Sequence, residues 1–139
     1  MEIFKKKKKE KKVNVIEAIE NCKYYIVKSI LDKNISELNI KNEDGDYPLL
    51  ITCSENSVEM ALILIDYADK NSIKLELNES NNHGFYPSLN VCIENSITMI
   101  QLLINYGNKN NIILELNRKN NIGNYPLLLI CDNNNIEMF

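Results

Sequence analysis

Four cysteines, one histidine and one cluster of acids are the side chains of this sequence best suited to chemistry. Cys22, Cys53, Cys92 and Cys131 could ligate zinc, but no C-x-x-C pair occurs, and zinc sites usually draw ligands from such short spacings. His83, the single histidine, would need a nucleophile and an orienting acid to serve as a catalytic base, and neither stands in a recognisable setting. Asn42-Glu43-Asp44-Gly45-Asp46 has the look of a calcium loop. The EF-hand pattern sets glycine at position six and a bidentate acid at position twelve. Counting from Gly45 puts Ile40 first and Ile51 twelfth, so the match fails. Glycine-rich phosphate loops, nucleophile elbows and paired-carboxylate constellations are also missing. No catalytic residue, cofactor or metal site is expected, and the chain is not read as an enzyme.

The elements that would position these residues follow from a repeat. Asp44-Gly45-Asp46-Tyr47-Pro48 returns as His83-Gly84-Phe85-Tyr86-Pro87 and as Ile122-Gly123-Asn124-Tyr125-Pro126, each 39 residues on. Cys53, Cys92 and Cys131 keep that step, as do Asn56, Asn95 and Asn134, and Met60, Met99 and Met138. Self-similarity at a fixed period marks a stacked array.

Each unit reads as turn, short helix, turn, longer helix and extended piece. The glycine supplies a positive φ, and the proline is pre-set for the first turn of a helix. The first helix spans Pro48 to about Glu55, where Asn56 ends it in the left-handed conformation. Ser57, Ser96 and Asn135 are suited to cap the second helix, which runs from Val58 to about Tyr67. Apolar on most of its circumference, that helix needs cover that one unit cannot supply and stacked neighbours can. Ile73-Lys74-Leu75-Glu76-Leu77 alternates, which predicts an extended segment packed on one face.

These residues resemble the ankyrin repeat. Tyr47-Pro48-Leu49-Leu50-Ile51-Thr52-Cys53 stands where the family has Thr-Pro-Leu-His-x-Ala, and Leu62-Ile63-Leu64-Ile65 where its second helix ends in a leucine run. The resemblance covers about residues 13–139 and implies an all-α, ankyrin-type helix-turn-helix solenoid with extended inter-repeat loops. The units are set at about 13–41, 42–80, 81–119 and an incomplete 120–139, behind a basic arm over 1–12. The first unit is matched at an offset of 35, which pairs Asn21 with Asn56. Tyr replaces the family's Thr and Leu its His, which removes a helix cap of about 1 kcal/mol. The period exceeds the family's usual one of about 33, with the additional residues placed around Lys70 to Lys74. Cys53, Cys92 and Cys131 take the place of a small buried Ala. Stacked about 8–10 Å apart, they would lie too far from one another for a disulfide.

Asn, Ile and Lys are heavily used, a bias read as codon usage rather than function. The net charge of −3 hides a division. Residues 1–12 carry seven lysines against Glu2 and Glu10, whereas the remainder holds nine basic and seventeen acidic residues. Such an arm reads as solvated chain, as a contact for nucleic acid or anionic lipid, or as a nuclear-import signal. No apolar run nears the roughly 18–20 residues of a membrane span, and the segment after the lysines is too polar for a signal peptide. The expected setting is the cytoplasm, with the nucleus open to it. Repeat arrays need a polar terminal unit. Since none is evident, the chain is read as a piece of a longer array in preference to one whose Leu127–Ile130 helix is exposed.

The resemblance implies a protein–protein interaction module, a scaffold or adaptor, that holds its partner through turn tips and the adjoining short-helix face. Carried over by motif, the contact residues are Glu43, Asp44, Asp46, Ser54 and Glu55 in one unit. In the next they are Asn82, His83, Phe85, Ile93 and Glu94, and in the last Asn121, Ile122, Asn124, Asp132 and Asn133. Phe85 is the favoured anchor. Residues 42–80 hold nine acids against Lys70 and Lys74, which suits a protein partner with a basic patch. Nucleic acid is not the expected partner. The alternatives are a regulatory or targeting piece of a larger enzyme or channel, and a nucleic-acid-associated protein using the lysine arm.

Overall fold

The computed structural model describes residues 12–132, and within them every regular element is helical. Val15–Glu20 (α1) and Tyr24–Lys33 (α2) form the first pair, followed by a 3-10 helix over Ile35–Asn39. Pro48–Ser54 (α3) and Val58–Lys70 (α4) form the second, Pro87–Ile93 (α5) and Ile97–Asn110 (α6) the third, and Pro126–Asp132 (α7) opens a fourth. The lysine run through position 11, Asn133, and the capping role assigned to Asn135 lie outside the described residues.

Local sequence explains the helix boundaries. Pro48 and Pro87 occupy first-turn positions, and Tyr47 and Tyr86 before them are extended and offer no side-chain cap. The serine hydroxyls do cap: Ser57 Oγ accepts from Met60 N at 3.3 Å and Ser96 Oγ from Met99 N at 3.2 Å. Asn56 and Asn95 end the turns between helices at φ 52° and 54°. The second helix of each full pair outlasts its expected end near Tyr67, running to Lys70 and Asn110. Part of the longer period therefore lengthens the helix rather than the loop. Ile73–Leu77 is extended, with Leu75 and Leu77 buried and Lys74 and Glu76 exposed, as alternation predicts. The first unit departs from this, since its corresponding stretch winds into the 3-10 helix.

The helices stack in two rows. α1, α3, α5 and α7 pack successively, and α2, α4 and α6 lie behind them. Val15, Ile19, Leu49, Leu50, Cys53, Leu64, Val91, Cys92 and Leu103 meet in the continuous core between the rows. No unit could bury these residues by itself, which is why the array is the folding entity. Among the described residues the four cysteines are free; Cys53 and Cys92 are buried, whereas Cys22 and Cys131 are exposed. Leu127 is 39% exposed while Ile130 is buried at 7%, so α7 is only partly covered.

The structure corrects the register of the first unit. Cys22, not Asn21, holds the left-handed position, at φ 53°. Its N–H donates to the Ile19 carbonyl and Lys23 N to the Ala18 carbonyl, both at 2.9 Å. Asn56 and Ser57 make the same bonds to Cys53 and Thr52, both at 3.2 Å. Cys22 therefore matches Asn56, one residue away from the pairing that matching residue types gave. A turn fixed by backbone hydrogen bonds imposes its φ on whichever residue occupies it.

Asparagine also does structural work between units. Asn39 and Asn78 each clamp the following unit with both ends of the amide. Asn78 Nδ2 donates to the Ile113 carbonyl at 2.7 Å, and its Oδ1 accepts from Glu115 N at 2.8 Å. Asn39 does the same with the Lys74 carbonyl and Glu76 N at 2.9 and 3.3 Å. The buried tyrosines that replace the family's threonine reach forward as well. Tyr47 Oη donates to the Glu79 carbonyl at 2.7 Å and Tyr86 Oη to the Arg118 carbonyl at 2.6 Å.

Candidate functional site

The turn tips project from one edge of the stack, and asparagine builds them. Asn42 Oδ1 accepts from Asp44 N and Asp46 N at 3.0 and 2.9 Å, which rounds the chain over Gly45. Asn81 and Asn120 repeat this device for Phe85 and Asn124. Successive tips are then tied together. Asn82 N donates to the Asp44 carbonyl at 2.9 Å and Asn121 N to the His83 carbonyl at 3.2 Å. Through their side chains, Asn82 Nδ2 donates to the Glu43 carbonyl at 2.9 Å and Asn121 Nδ2 to the Asn82 carbonyl at 3.2 Å. Two of the expected contact residues thus commit their amide donors to the scaffold, and the tips form a fixed row. Glu43, Asp44, His83 and Ile122 are exposed along it, Ile122 to 75%.

Below the tips, between them and the short helices, lies an open cleft of about 350 Å³. Its walls bring together four of the expected residues, Asp46, Ser54, Glu55 and Phe85, with Leu50 and Ile51 of α3. Ile93 and Glu94 lie outside its walls at the end of α5, both exposed, and Asp132 is exposed at the end of α7. Asn124 is half-buried in the last tip. Besides Leu50 and Ile51, three polar lining residues escaped the motif reading: Glu20, Asn81 and Asn90. Asn90 did carry a signal, because Ile51 and Leu129 occupy its place in the neighbouring units. Glu20 carried one only in the corrected register, which aligns it with Ser54.

The electrostatics of the cleft are one-sided. Glu20, Asp46 and Glu55 line it, and no lysine or arginine does. Partial burial lifts the Glu55 carboxyl above its ordinary pKa, and the charge of Glu20 adds to that shift. One oxygen of Asp46 is already engaged, since its Oδ1 accepts from Asn81 Nδ2 at 2.8 Å. One unit on, Phe85 stands where Asp46 would be, and Asn120 stands where Asn81 would be. The ring offers no oxygen to accept a hydrogen bond, and Asn120 Nδ2 is left buried without a partner among the described residues.

The thiols do not take part. Burial raises the Cys53 thiol far above its ordinary pKa and pushes that of Cys92 up to about 12, which makes both inert hydrophobes rather than nucleophiles. Among the described residues no group of three His, Cys, Asp or Glu side chains is placed to hold a metal ion. None of the described helices is long and apolar enough to cross a membrane.

Compared with known families, residues 15–114 match a family model described as ankyrin repeats, in three copies. A comparison with curated proteins gives no match.

Proposed function

The chain belongs to the ankyrin-repeat family, and from that premise we propose that it is a scaffold or adaptor that captures a protein through its turn tips and the cleft beneath them. Ankyrin repeats generally mediate protein–protein interaction. One observation carries the reading to this face: the tips are bonded to one another across units, so Glu43, Asp44 and His83 are held in register before any partner arrives. A surface ordered in advance loses little conformational entropy on binding. Phe85, half-buried at the mouth of the cleft, is the aromatic anchor.

The acids of this face call for a partner with a basic patch, and its rim charges would speed encounter more than they deepen affinity. The buried free thiols of Cys53 and Cys92 suit the reducing cytoplasm as the place of action. Proteins retained from an extract of the source cell by the native chain are to be compared with those retained by a variant carrying Asp44→Asn and Phe85→Ala. The expected result is a set of proteins held by the native chain at low salt and lost both to the variant and at high salt. Equal retention by the two proteins would place the interaction surface elsewhere.

A further inference from the structure

The cleft is lined by three carboxylates and by an amide that has no partner among the described residues. Asn90, on α5, is only 8% exposed and lines the cleft. Its backbone is satisfied within the helix, while its side-chain amide, unpartnered among the described residues, is open to the cleft rather than sealed in the core. Buried amides are normally paired, so one left open toward a cavity marks a place for a ligand group. Nothing in packing requires a polar residue there, since Leu129 fills the same position in the next unit. Around Asn90 stand the carboxylates of Glu20, Asp46 and Glu55, none of them in an ion pair among the described residues, and the apolar Leu50, Ile51 and Phe85.

We infer that this cleft seats one arginine side chain of the protein partner, with the guanidinium set between the Glu20 and Glu55 carboxylates and the side-chain Oδ1 of Asn90. The inference rests on the proposed interaction through this face and names what enters it. A metal ion is the poorer occupant, because the three acids do not converge as a ligand set. Lysine is poorer too. Its ammonium is a compact point charge, whereas the flat guanidinium donates in several directions at once and can lie against the Phe85 ring while its stem covers Leu50 and Ile51. Burial raises the Glu55 pKa and the neighbouring charge of Glu20 adds to the rise; a cation between the two carboxylates removes that repulsion.

The test is selection of random short peptides on the full chain, followed by affinity measurement with the enriched peptides. The expected consensus contains one fixed arginine. Replacing it by the neutral isostere citrulline weakens binding by roughly tenfold or more. Glu20→Gln with Glu55→Gln brings a loss of similar size. So does Asn90→Leu, a change without charge that the fold already accepts at position 129. Enriched peptides that have lysine or no cation at the fixed position, yet lose binding with Phe85→Ala, would overturn the arginine seat and leave the interaction face standing. Arginine peptides indifferent to Asn90→Leu and to the double glutamine variant would overturn the seat as well. A selection that enriches nothing would overturn both readings.

Discussion

At the scale of single residues, Phe85 and Asn120 show how a change in one unit is felt in the next. Asp46 satisfies Asn81, and Phe85 cannot satisfy Asn120, whose Nδ2 is buried without a partner among the described residues. An unmet buried donor costs about 1–3 kcal/mol. Phe85→Asp should therefore unfold in denaturant at higher concentration than Phe85→Ala, by roughly 1–2 kcal/mol in stability, because both lose the ring and only aspartate can accept from Asn120. Equal stabilities would mean that the Asn120 amide is satisfied in another way. A ring retained at such a cost is consistent with Phe85 serving a partner rather than the fold.

At the scale of elements, the turns are the sensitive points. Gly84 has φ +83°, and a methyl group there would meet the Asn120 Cα at 2.9 Å and the Asn121 N at 3.0 Å. Gly123 has nearly the same φ, +86°, with nothing among the described residues within 4 Å of such a methyl. Both alanine variants take on the strain of a positive φ, on the order of 1 kcal/mol, and only Gly84→Ala must also move the neighbouring tip. Thermal unfolding should show Gly84→Ala as clearly the more damaging of the two. The reverse order would show that the tips are not in contact as described. The helices themselves were largely legible. Proline, serine cap and left-handed asparagine act within a few residues of one another, so sequence alone places the starts of α3 to α6. The ends of α4 and α6 were misjudged because contacts along the back row sustain them: Tyr67 Oη donates to Asp32 Oδ1 on α2 at 2.6 Å, and Lys109 pairs with Asp69 at 2.9 Å.

At the scale of the molecule, each unit is coupled to the next by the shared core and by periodic hydrogen bonds. Asn78 makes two of those bonds with the loop at Ile113 and Glu115. Asn78→Ala should cost about 1–3 kcal/mol, and the loss should be local. Hydrogen exchange is expected to show α5 and α6 losing protection before α1 and α2, as in an array whose stability is a sum of units and interfaces. A uniform fall in protection would instead make the stack one indivisible cooperative block.

By itself the sequence determined the repeat, its period, the all-helical class and the row of tips, since each depends on residues near one another in the chain or on spacing alone. Four members of the cleft were legible for the same reason, as a motif carries the tip and the end of the short helix together. Tertiary structure alone decided the rest. It set the first unit by its hydrogen-bonded turn at Cys22, where matching letters had chosen Asn21. It gave the asparagines their work between units, which no composition count can reveal. It also brought Glu20 and Asn90, seventy residues apart in sequence, to one acidic cleft. Their meeting depends on how neighbouring units stack, and stacking is a property of the packed core rather than of any segment in it.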